Sequence, residues 1–373
     1  MLYLFGFAII VKLSNLLLLL LPFLFKAKSG KYNMSREVDG HNLPPVSIII
    51  CARNEAHNLQ SNLPLVLEQD YPCFEVVVVN DASNDQTKQV LETIHKQYNN
   101  LNVFNILPAQ KTGGGKRQAL QTGITQAKYE MLLLTDADCK PAGNKWIQNM
   151  TKHFNARVQI VLGYGAYLPA NGWVNKLVQF ETLHTAMQYM SFAAVGLPYM
   201  GVGRNLAYTK PLFYQSGGFT GQEHLQSGDD DLLINKAASA SNTAIAVEPA
   251  SFTHSYAPHT FAQWVNQKKR HLSAGKNYKS IHIFLLSSIT IAHVLFYGML
   301  IVVLLQPQSI ASLVCLIAWF LVWTLQMYAY RLAVSVFAAP LCAALPLLDI
   351  VFVLYYVFFT PFALLTQKVS WRN

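Results

Sequence analysis

Four long apolar runs limit what this chain can become. Residues 2–25 (LYLFGFAIIVKLSNLLLLLLPFLF) carry one charge, Lys12; residues 281–306 and 308–330 carry none, and 341–366 carries only Asp349. A helix needs about 20 apolar residues to cross a bilayer, and each run is near or above that length. Charged residues make up 13% of the chain, about half the quarter usual for soluble domains, and the deficit falls in these runs. Residues 44–275 instead have the composition of an ordinary globular domain. The expected organisation is an N-terminal transmembrane helix (1–25), a soluble domain (44–275) and a C-terminal transmembrane region of about three spans (281–366).

The first run could also be read as a cleaved signal. Its length, the interrupting Lys12 and the lack of a small-x-small site favour a retained anchor. The net charge of +9 is concentrated at the borders of the soluble domain: Lys26, Lys28, Lys31 and Arg36 on one side, Lys268, Lys269, Arg270, Lys276 and Lys279 on the other. The positive-inside rule then puts that domain in the cytoplasm, against anionic headgroups. No nucleic-acid recognition motif accompanies the charge, so nucleic acid is not an expected partner. Three spans after a cytoplasmic domain would leave Lys368 and Arg372 outside, against the same rule. A re-entrant or broken segment within 331–366, which contains Pro340 and Pro346, stays open. Cys51, Cys73, Cys139, Cys315 and Cys342 show no C-x-x-C spacing and read as free thiols in a reducing compartment.

Within 44–275 strand and helix signals alternate. VSIIICA (46–52), EVVVVND (75–81), NVFNIL (102–107) and YEMLLLTDAD (129–138) read as strands, the continuous β-branched ones as strands buried on both faces. Helical patterns lie between them, at about 55–68, up to about 97, and at 115–127. The expected class is α/β with a doubly wound, mostly parallel sheet, in which ligands bind beyond the carboxyl ends of the strands. Polar residues gather at those ends: Arg53, Asn54 and Glu55; Asn80 and Asp81; Asp136 and Asp138. After residue 140 the pattern is less regular, with helices near 172–190, from 229 and at 261–275, and strands near 199–209 and at 243–248.

Three short motifs carry chemistry. TDADC (135–139) sets two carboxylates two residues apart past a strand, where a turn lets them share a hard divalent cation completed by phosphate oxygens. GGGKRQAL (113–120) suggests a phosphate loop with Lys116 near a helix N-terminus; Gln110 and Arg117 rule out a Walker A sequence. In NQKKRH (266–271), Gln267 and Arg270 share a helix face. The plain alternatives are a strand end, a flexible loop and an interfacial helix with basic residues on headgroups.

Together with VSIIICARNEAHNL, QDYPCFEVVVVNDASNDQT and SGDDDLL, these segments match in order the motifs of glycosyltransferase family 2. The sequence most resembles membrane-bound members such as hyaluronan, chitin and cellulose synthases and ceramide glucosyltransferase. The resemblance implies a GT-A (Rossmann-like) fold and inverting transfer from a nucleotide-sugar, usually a UDP-sugar. It puts Ala52, Arg53, Glu55 and Asp81 around the nucleoside and Lys116 beside the nucleotide. Asp136 and Asp138 would hold Mg²⁺ or Mn²⁺ on the diphosphate, and Gln267 and Arg270 would complete the donor site. Asp230 becomes the general base, with Asp229 on the acceptor side and Asp231 a plain helix-start residue. His271 stands where the family has Trp, which puts processive synthesis in doubt and favours one transfer to a lipid or lipid-linked acceptor over a growing glycan. His254 is a candidate third metal ligand and His224 a candidate acceptor contact. A catalytically silent membrane scaffold is the alternative of another class; the intact motifs oppose it.

Overall fold

The computed structural model describes residues 2–29, 43–111, 116–221, 228–306, 309–341, 343–359 and 361. Helix α1 (Leu2–Ser29) precedes a run of alternating elements: β1 (Val46–Ala52), α2 (Ala56–Leu67), β2 (Phe74–Asp81), α3 (Thr87–His95), β3 (Leu101–Ile106), α4 (Lys116–Gln126) and β4 (Met131–Asp136). Strand β1 is buried at all seven positions, as its β-branched run requires in a sheet covered on both faces. A less regular half follows: β5 (Cys139–Pro141), α5 (Trp146–Thr151), β6 (Ile160–Leu162), β7 (Gly165–Tyr167), α6 (Trp173–Ala194), β8 (Leu206–Thr209), α7 (Lys210–Gln215), α8 (Asp231–Ala237), β9 (Thr243–Ile245) and β10 (Thr253–Ser255). Helix α9 (Phe261–Gly275) leads to α10 (Ser280–Leu304), α11 (Ile310–Val336) and α12 (Leu345–Leu354), and Tyr355–Phe359 continues α12 as one π-helical turn.

Seven strands form the main sheet in the order β3-β2-β1-β4-β8-β6-β9. The expected four pair in parallel, and β8 runs antiparallel to both β4 and β6. The register sets Ala52 opposite Asn80 and Cys51 opposite Asp136, so the polar strand ends share one edge. A second sheet, β5-β10-β7, closes that edge. Its three-residue strands are too short to show a hydrophobic period in sequence. The possible strand at 199–209 shrinks to Leu206–Thr209.

Each sheet face has its own core. One packs β-strand residues such as Ile48 and Val78 under α2, α3 and α5. The other runs from Ile49 and Leu134 through α6 to Leu16 and Leu20 of α1, Ala329 and Tyr330 of α11, and Leu348 and Phe352 of α12. The α/β domain and the apolar helices therefore share a core. Helix α6 lies at the junction, and its Ser191 hydroxyl donates to the Leu19 carbonyl at 2.9 Å.

Three described helices are long and apolar enough to cross a membrane, at Tyr3–Leu20, Ser280–Leu304 and Ile310–Val336. The last apolar run gives a shorter helix, Leu345–Phe359, roughly 22 Å at 1.5 Å per residue. The chain breaks at the prolines: Ala338 takes a left-handed φ of 50° just before Pro340, and Pro346 sits in the first turn of α12. Cys51, Cys73, Cys139 and Cys315 are free thiols.

Candidate active site

A cavity of about 1670 Å³ opens at the shared sheet edge and runs to α10 and the end of α12. Arg53, Glu55, Lys116, Asp136, Asp138, Asp229, Asp230, Gln267, Arg270 and His271 all line it. Ala52 and Asp81 are buried at the ends of β1 and β2, outside that lining. Lys111 Nζ approaches Asp81 Oδ2 at 3.2 Å. The glycines at 113–115, Ser227 and His224 lie outside the described residues.

The first α/β turn fixes Glu55. Its backbone N–H donates to Thr87 Oγ1 at 2.9 Å, and Asn58 Nδ2 donates to its Oε2 at 2.6 Å. Asn54 beside it takes a φ of 56°, a conformation Asn tolerates better than most residues.

Lys116 begins α4 and reaches into the acidic end of the cavity. Its ammonium lies 2.5 Å from Asp136 Oδ1 and 4.0 Å from Asp229 Oδ2. Burial works against the ammonium, but Asp136 and then Asp229 outweigh it and hold the Lys116 pKa well above the usual value. Asp136, Asp138 and Cys139 bring ligand atoms within 4.8 Å of one another. The two carboxylates suit a hard divalent cation. The thiol does not: burial, then Asp138, pushes the Cys139 pKa well up and keeps it protonated. His254, paired with Lys140 across β10 and β5, is absent from both this group and the cavity lining.

The three aspartates separate by their surroundings. Asp230 precedes α8. Its Oδ2 accepts from the Gly203 N–H at 2.5 Å and its Oδ1 from the Asp231 N–H at 3.0 Å. Burial, then Asp229, raises the Asp230 pKa to about 6, against Lys116 and the two amides. Asp230 itself is the N-cap of α8. Asp231 starts α8 as expected but is more than a plain helix start: it is buried, and Tyr278 donates to its Oδ2 at 3.0 Å. Burial and Asp230 lift its pKa well above the carboxylate range.

Gly228 makes this turn possible. Its φ is +87°, and a Cβ there would come within 2.9 Å of Ala274 Cβ on α9, so only glycine fits without strain.

Helix α9 is fixed on two sides. Lys268 and Glu181 of α6 form a buried ion pair, and Gln267 donates to the Tyr167 hydroxyl at 3.0 Å. Arg204 lies over the Tyr167 ring, 4.2 Å from its centre, and donates to Ser255 Oγ at 3.1 Å. GVGRN (201–205), a loop by composition, supplies both Arg204 and the Gly203 amide that holds Asp230. His271 lines the cavity.

Known proteins resemble this arrangement. Glycosyltransferase AglE of Haloferax volcanii is 30% identical over 207 residues, covering 53% of this chain and 62% of AglE. The poly-beta-1,6-N-acetyl-D-glucosamine synthase of Staphylococcus epidermidis is 28% identical over 116 residues, 31% of this chain and 27% of the synthase. The chain thus spans less than two thirds of either relative. Among solved structures, the mannosyltransferase PcManGT of Pyrobaculum calidifontis, in complex with GDP-Man and Mn²⁺, matches with a TM-score of 0.52 at 20% identity, over 97% of this chain and 94% of that one. At that identity the likeness shows the fold alone, a GT-A-like mixed α/β sheet. The motif reading of family 2 holds at that coarser level, as a GT-A-like glycosyltransferase, and the family label changes. The family model that matches is glycosyl transferase family 21, over residues 8–373, and the chain belongs to that family.

Proposed function

We propose that this glycosyltransferase moves a hexose, with inversion, from a nucleotide-sugar at the sheet edge to a lipid acceptor that enters from the membrane side. The observation that carries the reading is the continuous cavity. One end holds Lys116, Asp136, Asp138 and Asp230; the other is walled by Ile283, Leu286 and Ile291 of α10 and by Phe352, Tyr355 and Tyr356. A polar donor and an apolar acceptor can thus meet at one point.

In this reading Asp230 takes the proton from the acceptor hydroxyl as it attacks the anomeric carbon. Its two backbone donors fix its direction, and a pKa of about 6 leaves it ionised at neutral pH while keeping it basic. The breaking bond leaves negative charge on the nucleoside diphosphate. Arg270 and Lys116 line the cavity where that charge develops and stabilise it electrostatically. A divalent cation on Asp136 and Asp138 would offset further charge on the leaving group. One displacement needs no covalent enzyme intermediate.

The motif resemblance favours a UDP-sugar; PcManGT was solved with GDP-Man, so both nucleotides belong in the test. Purified protein in lipid nanodiscs is given UDP- and GDP-sugars with total membrane lipid, with and without Mg²⁺ or Mn²⁺. Metal-dependent release of nucleoside diphosphate and a labelled lipid product are expected. No turnover with any donor defeats the reading. The likeness to a poly-N-acetylglucosamine synthase supports a second reading, a growing glycan as acceptor; a ladder of products instead of one glycolipid would establish it. The basic borders of 44–275 support a cytoplasmic site, which protease access in right-side-out and inverted vesicles tests.

A further inference from the structure

Two buried polar clusters involve the apolar helices, and they differ in what they reach. In the first, Lys12 Nζ of α1 lies 2.7 Å from His293 Nδ1 of α10, and His293 Nε2 lies 3.5 Å from Asp349 Oδ1 of α12. Asp349 also accepts from Tyr297, from Gln326 Nε2 and from the Tyr330 hydroxyl. Lys12 and Asp349 are both buried, and the donors around the acid offset the cost of burying it. This cluster joins helices to one another.

The second joins α8 to the start of α10. Tyr278, two residues before α10, donates to Asp231 Oδ2 at 3.0 Å. Burial, then Asp231, holds the Tyr278 pKa well above its ordinary value, so the hydroxyl stays a donor. Asn235 lies one turn further along α8 and on the same face. Its Oδ1 accepts from the Lys279 N–H at 2.9 Å. Its Nδ2 donates to the Tyr199 carbonyl at 2.8 Å and lies 3.0 Å from His282 Nδ1 of α10. Asp231, Asn235 and His282 are buried. The Tyr199 and Tyr278 rings meet edge to face, with centres 5.8 Å apart. Both amides that grip Asp230 belong to segments held in this way. The Asp231 N–H, 3.0 Å from Asp230 Oδ1, is the first amide of α8. Gly203, whose N–H holds Oδ2, follows Tyr199 by four residues.

We propose that Tyr278, Asp231 and Asn235 are positioning residues for Asp230, clamping α8 and the Tyr199–Gly203 segment to the lead-in of α10. The assignment rests on the reading of Asp230 as the base. The base is then aimed from the α10 side, while Lys116 and Asp136 are carried by α4 and β4. Loosening the clamp moves the base relative to the sugar and leaves the groups at the nucleotide end in place. A reacting group displaced by about 1 Å can cost on the order of a hundredfold in rate, so the clamp acts on turnover and not on donor affinity.

The full chain in nanodiscs is given UDP- and GDP-sugars with total membrane lipid, and UDP and GDP affinities are measured by calorimetry. Tyr278→Phe removes one hydroxyl and keeps the ring. It is expected to lower kcat by about tenfold, the factor that one hydrogen bond carries, with UDP and GDP affinity nearly unchanged. Asp231→Asn, which still accepts from Tyr278, is expected to retain more of kcat than Asp231→Leu, which cannot. In the Asp230→Asn background, Tyr278→Phe is expected to cost nothing further in labelled product, because losses through one shared group do not multiply. Wild-type kcat in Tyr278→Phe, nucleotide affinity falling in step with kcat, or losses that multiply in the double variant overturns the assignment and leaves the base reading intact. Wild-type activity in Asp230→Asn overturns the base reading and the assignment with it.

Discussion

The molecule buries acids in two places and treats them differently. At the sheet edge Asp229, Asp230 and Asp231 crowd together, with Lys116 leaning on Asp136 and Asp229. Among the apolar helices Asp349 stands alone, ringed by donors and joined to Lys12 through His293. Burial, with the neighbouring Asp229 second, lifts one carboxyl to about 6, where it can take and return a proton. Compensation leaves the other nothing to exchange, so it serves to hold geometry. Burial beside a like charge makes a reagent at one site, and compensation makes a frame at the other.

The comparison breaks most sharply at Asp230. Asp230→Asn is expected to cut transfer by about 10²- to 10⁴-fold, the usual worth of a general base, with nucleotide-sugar affinity nearly intact by calorimetry. Activity equal to wild type would move the base to a neighbour. In the frame, Lys12→Met strands Asp349 and is expected to cost roughly 3–5 kcal/mol in thermal unfolding in detergent. The double variant Lys12→Met/Asp349→Leu should recover most of that loss. If it does not, the two groups are not a compensated pair. Gly228→Ala forces a side chain into left-handed backbone against α9 and is expected to cost roughly 1–3 kcal/mol, with activity falling as the turn shifts.

The smallest effect concerns pH. Asp230 works ionised, so kcat/KM should rise as pH climbs through about 6. Burial and Asp229 both push that pKa up, so Asp229→Asn is expected to move the limb to lower pH, by on the order of one unit. A limb that stays put would remove Asp229 from the cause.

Much of the reagent was legible in sequence, because its residues travel in short runs tied to strand ends and helix starts. TDADC, GGGK, SGDDD and QKKR are each compact in the sequence; the parallel register of β1, β2 and β4 brings their polar ends to one edge, and Lys116, Asp136, Asp229, Asp230 and Arg270 line the same cavity. The frame was not legible. Lys12 and Asp349 lie 337 positions apart and meet across three helices; each looked like a stray charge in an apolar run. Tyr167 and Arg204 escaped for a similar reason: Tyr167 ends a strand of only three residues, which carries no period, and Arg204 lies in the turn before β8. Asp231 does begin α8, as its place before an apolar helical pattern suggests, but sequence cannot show that it is buried there under Tyr278.

Asp230 is gripped by the main-chain amides of Gly203 and Asp231, with no side chain as the donor among the described residues. Side chains facing the rest of the cavity can change without loosening that grip. The proton acceptor and the acceptor pocket are thus separable traits, and descendants of such a chain can explore new substrates while inheriting the same base in the same pose.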